Sequence, residues 1–147
     1  MKVLIVVKTR RGPGACVGGI TQEGRSVRLM AADAATNERA GLEYDIGDVW
    51  EIDAAPDPLL VPPHVENILV LRAEKLRRSQ KLVETIHRFM PPVSGGPETL
   101  FEGRLQATAA GALYLAPRTG LPQRSTMFWR PDQPLALDCA GPAASDP

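Results

Sequence analysis

Residues 3–7 form an unbroken apolar run, largely β-branched. That pattern predicts a central strand covered on both faces. Residues 9–15 hold Gly12, Pro13 and Gly14 and read as a loop. Residues 16–20 predict a second strand. A polar turn follows at residues 22–25, with Gly24 the position suited to positive φ. Residues 26–30 alternate. Val27 and Leu29 share one face and Ser26 and Arg28 the other, so a third strand should point Arg28 away from the core. Residues 31–41 carry small and polar side chains and predict mostly irregular structure. Gly47-Asp48 is a turn signal. Beyond it, Trp50, Ile52 and Ala54 fall on one face, opposite Val49, Glu51 and Asp53, as in a strand of a small barrel.

Pro56, Pro58, Pro62 and Pro63 interrupt the next stretch, which predicts a linker or long loop. Residues 66–71 predict a strand. From Arg72 the period changes: Leu76, Leu82, Val83, Ile86 and Phe89 recur at about 3.6 residues. The helix expected is residues 79–89, with Ser79 at its start and Pro91-Pro92 at its end. Residues 93–97 read as a loop. Strands are expected at 100–105, 111–116, 127–131 and 134–139, and a tail at 141–147. The expected class is all-β with one helix: OB-like small barrels, two packed together or one barrel plus a β subdomain. Residues 1–60 would form a first barrel half. Residues 61–147 would form a second, reduced half carrying the helix, packed with the first as one unit.

The chain has 147 residues, enough for one domain or two very small ones. Hydrophobic residues make up 44%, enough for a real core. Seventeen basic and 17 acidic side chains cancel, so any polyanion must be met by a local patch rather than by overall charge. No apolar stretch approaches the roughly 18 residues of a membrane span. The first seven residues resemble a short signal sequence, but charge follows and no small-residue cleavage site is present. Cys16 and Cys139 do not make a secreted disulfide framework, so a reducing cytoplasm is the expected compartment.

Lys8, Arg10 and Arg11, with Arg28 on a neighbouring strand, are the candidate anion site. Arginine's planar fork matches a phosphate, and lysine adds a point charge. Backbone N–H groups around Gly12 and Gly14 would assist as a nest. The competing reading is a solvated loop whose cations pair with Glu23 or Asp48. Cys16 lies near positive charge, which favours a thiolate; the competing reading is a small buried hydrophobe at a tight strand start. His64, His87, Cys16 and Cys139 lack paired metal-ligand spacing. Glu43, Asp45, Asp48, Glu51 and Asp53 follow no hydrolytic pattern. Gly18-Gly19 lacks the Gly-Lys-Ser of a phosphate-binding loop. No catalytic residue, metal or cofactor is assigned. Among the aromatics, Trp50 shares its register with Ile52 and reads as core. Phe128 and Trp129 should face opposite ways, with Trp129 beside Arg130 the stacking candidate. Tyr44 and Tyr114 are the remaining ones.

A set of short motifs resembles a known family. It comprises the apolar strand ending in Lys8-Thr9-Arg10, then Cys16-Val17-Gly18-Gly19, then Val27-Arg28-Leu29, with Gly47-Asp48-Val49-Trp50 and Phe128-Trp129 before Pro131-Asp132 downstream. This resembles the dual OB-containing domain family of small prokaryotic proteins, most closely over the first 55 or so residues. The resemblance implies two small OB barrels packed together and a nucleic-acid or nucleotide-related ligand, in an accessory rather than enzymatic role. Gly18 stands where alanine is usual. Val27 stands where a tryptophan is usual, which implies the loss of a stacking platform.

The function expected is noncatalytic recognition of nucleic acid, RNA or single-stranded DNA before duplex. Phosphates would be held by Lys8, Arg10, Arg11 and Arg28. A protein-interaction module gripping acidic side chains is the second reading. A nucleotide-processing enzyme using Cys16 or an acid among residues 45–53 is the third.

Overall fold

A computed structural model describes residues 1–11, 14–32 and 43–136. Five strands carry the fold: β1 (Lys2–Arg11), β2 (Gly14–Thr21), β3 (Ser26–Ala31), β4 (Asp48–Pro56) and β5 (Asn67–Arg78). They close into a barrel in the order β1-β2-β3-β5-β4, with β3 and β5 parallel and the other pairs antiparallel. This closed five-strand order is that of an OB-type barrel. The fifth strand comes from beyond the proline-rich stretch, which lies within the barrel's own chain.

Alternation along the strands builds two apolar layers. Val3, Ile5, Val17, Val27, Leu29, Trp50, Ile52 and Ile68 fill the interior, with Tyr44 closing against Trp50 at 4.6 Å between ring centroids. Leu4, Val6, Ile20 and Val49 point outward. They are covered by Met90, by Leu82, Ile86 and Phe89 of helix α1 (Leu82–Phe89), and by Phe128. The run at residues 3–7 is continuously apolar because both of its faces are covered. Trp50 is core, as its register with Ile52 implies.

Several elements differ from the sequence reading. Strand β1 does not end near Val7; it runs to Arg11, and β2 begins at Gly14. Residues 9–11 and 14–15 are therefore strand rather than loop. Strand β5 runs through Arg78, so the region from Arg72 is not the approach to a helix. Leu71 and Leu76 are left out of the β4–β5 pairing at two register shifts. Each bulge reverses the alternation, and two reversals imitate a longer period. Helix α1 starts at Leu82 with Lys81 at its N-cap and no side-chain cap, so Ser79 does not cap it.

The C-terminal region is not a second closed barrel among the described residues. It consists of two ladders: β6 (Val93–Gly95) parallel to β9 (Trp129–Pro131), and β7 (Gln106–Ala107) antiparallel to β8 (Leu113–Tyr114). The expected loop at residues 93–97 begins as a strand. The expected strand at 100–105 is mostly a kinked 3-10 segment, Pro97–Gly103. The expected strand at 111–116 shortens to two residues. Residues 134–136 are not strand, and the rest of that expected strand lies outside the described residues. A barrel plus an appended β subdomain is the form the fold takes. No helix among the described residues is long and apolar enough to cross a membrane.

Candidate nucleic-acid interface

The candidate interface is built on the β1–β2 hairpin. Strand β1 pairs with β4 only over Lys2 to Leu4, and β2 pairs with β3 only over Val17 to Ile20. From Thr9 to Arg11 and from Gly14 to Cys16 the two strands pair with each other alone. They continue past the neighbouring ladders as a two-stranded ribbon whose base, at Ala15, still packs in the interior cluster. Arg10 is exposed on it and makes no ion pair with the described residues. Arg11 is the register partner of Gly14.

A bulge at Val6 decides which way the cations point. The register passes from Ile5↔Gly19 to Val7↔Gly18 and leaves Val6 unpaired. Beyond it, Lys8 is opposite Val17 and Arg10 opposite Ala15, two residues of the interior cluster. Lys8 and Arg10 therefore lie on the interior side of the hairpin, at the barrel mouth. Lys8 meets Asp45 there at 3.3 Å. Arg28 is opposite Gly18, on the outer face. Of the four cations grouped from the sequence, Lys8 and Arg10 thus lie on one face and Arg28 on the other. Neither Glu23 nor Asp48 is the acid that Lys8 meets. Glu23 lies in the β2–β3 turn, where its own backbone N–H and the Thr21 hydroxyl hold its carboxyl below the usual value. Asp48 is fully buried and meets Lys75 at 2.6 Å and Arg78 at 3.4 Å.

Arg28 is held rather than free. One terminal nitrogen donates to Asn67 Oδ1 at 3.3 Å and the other approaches Cys16 Sγ at 3.6 Å. Asn67 in turn donates to Asp57 Oδ2 at 2.9 Å, and Asp57 Oδ1 accepts from the Leu59 N–H at 2.8 Å. The Leu59 N–H, then the Asn67 amide, hold the Asp57 carboxyl below its usual value. This chain of bonds connects the proline-rich loop to the outer face of β3.

That outer face forms the floor of a groove of about 320 Å³. Val7, Thr9, Cys16, Gly18 and Arg28 contribute from the barrel, and His64, Phe101 and the segment from Ser125 to Met127 form the walls. Cys16 is half-buried. A larger groove of about 640 Å³ adjoins, sharing Phe101, Thr126 and Met127 as walls and adding Met90, Arg124 and Phe128.

The remaining candidates fall elsewhere. Gly12 lies outside the described residues, as does Cys139. Gly14 is buried in β2 and opposite Arg11, so it is part of a ladder rather than of an open loop. Trp129 and Arg130 sit on β9. The Trp129 indole donates to Gly95 O at 2.8 Å, and Arg130 donates twice to Ser94 Oγ, at 3.1 and 3.0 Å. Phe128 is half-buried, packing on the outer apolar layer while it lines the larger groove. Tyr44 is buried in the barrel, which raises its phenol pKa, with a lesser contribution from the Glu43 charge. Tyr114 is exposed on β8. His64 lines the smaller groove with Cys16, while His87 is exposed on α1. Among the described residues no three His, Cys, Asp or Glu side chains gather as a metal-ligand set.

Val27 corrects one expectation. It is 2% exposed and belongs to the interior cluster. A tryptophan at that position would enter the barrel rather than offer a surface platform. The absence of an aromatic there removes nothing from the interface. Phe101 and Met127, by contrast, were not singled out from the sequence. Phe101 lies where a strand was expected, and only Gly103 nearby signals an irregular turn.

A family model for the dual OB-containing domain matches residues 1–143, nearly the whole chain. The chain belongs to the dual OB-containing domain family. The barrel order described above is the structural counterpart of that match. In this member of the dual OB-containing domain family, one closed barrel is present among the described residues, and two short ladders follow it. No curated protein and no solved structure matches the chain.

Proposed function

We propose that this protein is a noncatalytic nucleic-acid-binding module that prefers RNA or single-stranded DNA to duplex. The observation that carries this reading is the β1–β2 ribbon, which extends past the barrel ladders with Arg10 exposed and Lys8 at its base. A narrow two-stranded ribbon can follow a flexible backbone, and arginine forks suit its phosphates. Arg28 adds a cation on the outer face of β3. Trp129 and Arg130, half-buried and exposed on β9, form a second contact point. Membership in an OB family supports the same ligand class, since OB barrels commonly bind oligonucleotides or oligosaccharides. A reducing cytoplasm is the compartment that fits this role.

Titration of labelled RNA, single-stranded DNA and duplex DNA at two salt concentrations tests it. Single strands should bind more tightly than duplex, with log K falling as log salt rises. Absence of binding to all three at low salt contradicts it. A protein-interaction role is favoured by one specific feature: Leu59 and Val61 are 75% and 61% exposed in the proline-flanked loop. The acidic side chains around β4 do not favour an enzyme, because Asp45 and Asp48 are already engaged by cations.

A further inference from the structure

Phe101 and Glu102 adopt left-handed backbone, with φ of 50° and 62°. Neither is glycine, and L side chains pay for that conformation. Core packing does not account for it, since neither apolar cluster contains Phe101. What the conformation does is place the Phe101 ring between the two grooves, where it walls both. The Phe101 N–H reaches Met127 Sδ at 3.1 Å, which holds the turn against the opposite wall. Backbone strain held in place by such bonds, presenting an aromatic residue to a cavity, is the kind of arrangement that ligand sites retain.

The surroundings define the ligand's chemistry. Phe101, Met127 and Phe128 give the larger groove an aromatic and polarizable lining. Arg28 lies on the floor of the smaller groove, and its bonds to Asn67 and Cys16 fix the guanidinium in advance. Arg124 lines the larger groove. Glu102 is the acid at this site, and both of its oxygens are occupied: one accepts from the Gln123 N–H at 2.8 Å, the other from Arg104 Nε at 3.5 Å. A flat apolar surface beside a fixed Arg28 and a second cation, Arg124, suits a planar ring carrying an adjacent anion. The larger groove, at about 640 Å³, lies within the usual range of small-ligand sites, ~300–1,000 Å³.

Resting on the nucleic-acid reading above, we infer that this groove holds an unstacked base of the bound single strand, with Phe101 stacking on the base and Arg28 holding a neighbouring phosphate. The β1–β2 ribbon then supplies backbone affinity, and the groove supplies a contact that needs a base. Stacking on one aromatic is tolerant of sequence, so the groove distinguishes base from no base rather than one base from another.

The test compares oligo-uridine with an abasic oligonucleotide of the same length, titrated against wild type, Phe101→Gly, Phe101→Leu and Phe101→Tyr. Phe101→Gly removes the ring and relieves the left-handed backbone, so the fold should be retained. Phe101→Leu keeps apolar bulk without a π face. Both should weaken oligo-uridine binding by about 5- to 150-fold and leave abasic binding unchanged. Phe101→Tyr should retain wild-type affinity for both. Equal losses on the two oligonucleotides, or no loss on either, would overturn the groove assignment while leaving the ribbon reading intact. No wild-type binding to oligo-uridine or to the abasic strand would overturn both readings together.

Discussion

Glu66 accepts a 2.6 Å hydrogen bond from the Ser125 hydroxyl, across 59 residues of sequence. The same oxygen accepts from the Ser125 N–H at 3.1 Å, and the other carboxylate oxygen accepts from Ser26 Oγ at 3.3 Å. Glu66 is buried at the start of β5. Through it the segment that walls the grooves is tied to the barrel. Hydrogen bonds to a charged group contribute about 1.5–3 kcal/mol each. Ser125→Ala is expected to lower unfolding free energy by roughly 1–3 kcal/mol in urea melts, because Glu66 keeps the backbone donor and loses the hydroxyl. Early cleavage within residues 103–127 under limited proteolysis would locate the loss in that segment. An unchanged melt and cleavage pattern would contradict the tie.

Gly24 faces a different constraint. Its φ is +87°, and a Cβ there would overlap the Phe89 ring of α1. Gly24→Ala combines left-handed strain of about 1–2 kcal/mol with overpacking of about 1–3 kcal/mol, so a total loss of roughly 2–5 kcal/mol is expected. A thermal melt measures it. In a Phe89→Ala background the same Gly24→Ala substitution should cost less, since the overlap is gone but the strain remains.

These two relationships show what can and cannot be read along the chain. Strands β3 and β4 were legible because alternation survives in them: Val27 with Leu29, and Trp50 with Ile52, sit inside as spaced. The core of β1 was legible from its unbroken apolar run, but its extension to Arg11 and the start of β2 at Gly14 were not. The turn at Gly24 was legible from composition. The start of β5 was legible as the strand expected at 66–71, but its continuation to Arg78 was not, because Leu71 and Leu76 bulge out and reverse the alternation twice. The C-terminal ladders have two or three residues per strand, too few to show a period. For the interface, residue types identified the cations, but the single bulge at Val6 decided that Lys8 and Arg28 point to opposite faces. No local pattern announces a bulge in a uniform apolar run. Nor does Glu66 advertise a partner so far along the chain. The left-handed Phe101 was hidden because non-glycine residues seldom adopt that conformation.

Asp57 connects the proline-rich loop to acid stability. Its folded pKa lies below the ordinary value of 3.8, because it accepts from Leu59 and Asn67. A depressed folded pKa gives stability that is present above the unfolded value and is lost as pH falls through the folded one. Below pH 3.8 the contribution of Asp57 should therefore decline. Asp57→Asn should flatten that part of the stability–pH profile while lowering stability at neutral pH. A variant profile that keeps the wild-type acid slope would contradict the assignment.

The buried Asp48 carboxylate should respond unequally to loss of its two cations. Lys75 lies at 2.6 Å and is 49% exposed, whereas Arg78 lies at 3.4 Å and is 64% exposed. Removing one partner leaves a buried charge less well compensated. Lys75→Met should cost about 1–3 kcal/mol and Arg78→Met less, by urea denaturation at one salt concentration. Equal costs, or a greater cost for Arg78→Met, would contradict the ranking.

The central claim is that the β1–β2 ribbon engages a nucleic-acid backbone. Arg10 offers the cleanest probe, since it is exposed and makes no ion pair with the described residues. Exposed substitutions of this kind change stability by about 0.5 kcal/mol or less. The decisive measurement is the dependence of log K on log salt for single-stranded RNA, compared between wild type and Arg10→Gln by fluorescence anisotropy. The ribbon account expects weaker binding for the variant at low salt and a slope shallower by about one, with the melting temperature unchanged. Identical affinity and identical slope in the two proteins would contradict it.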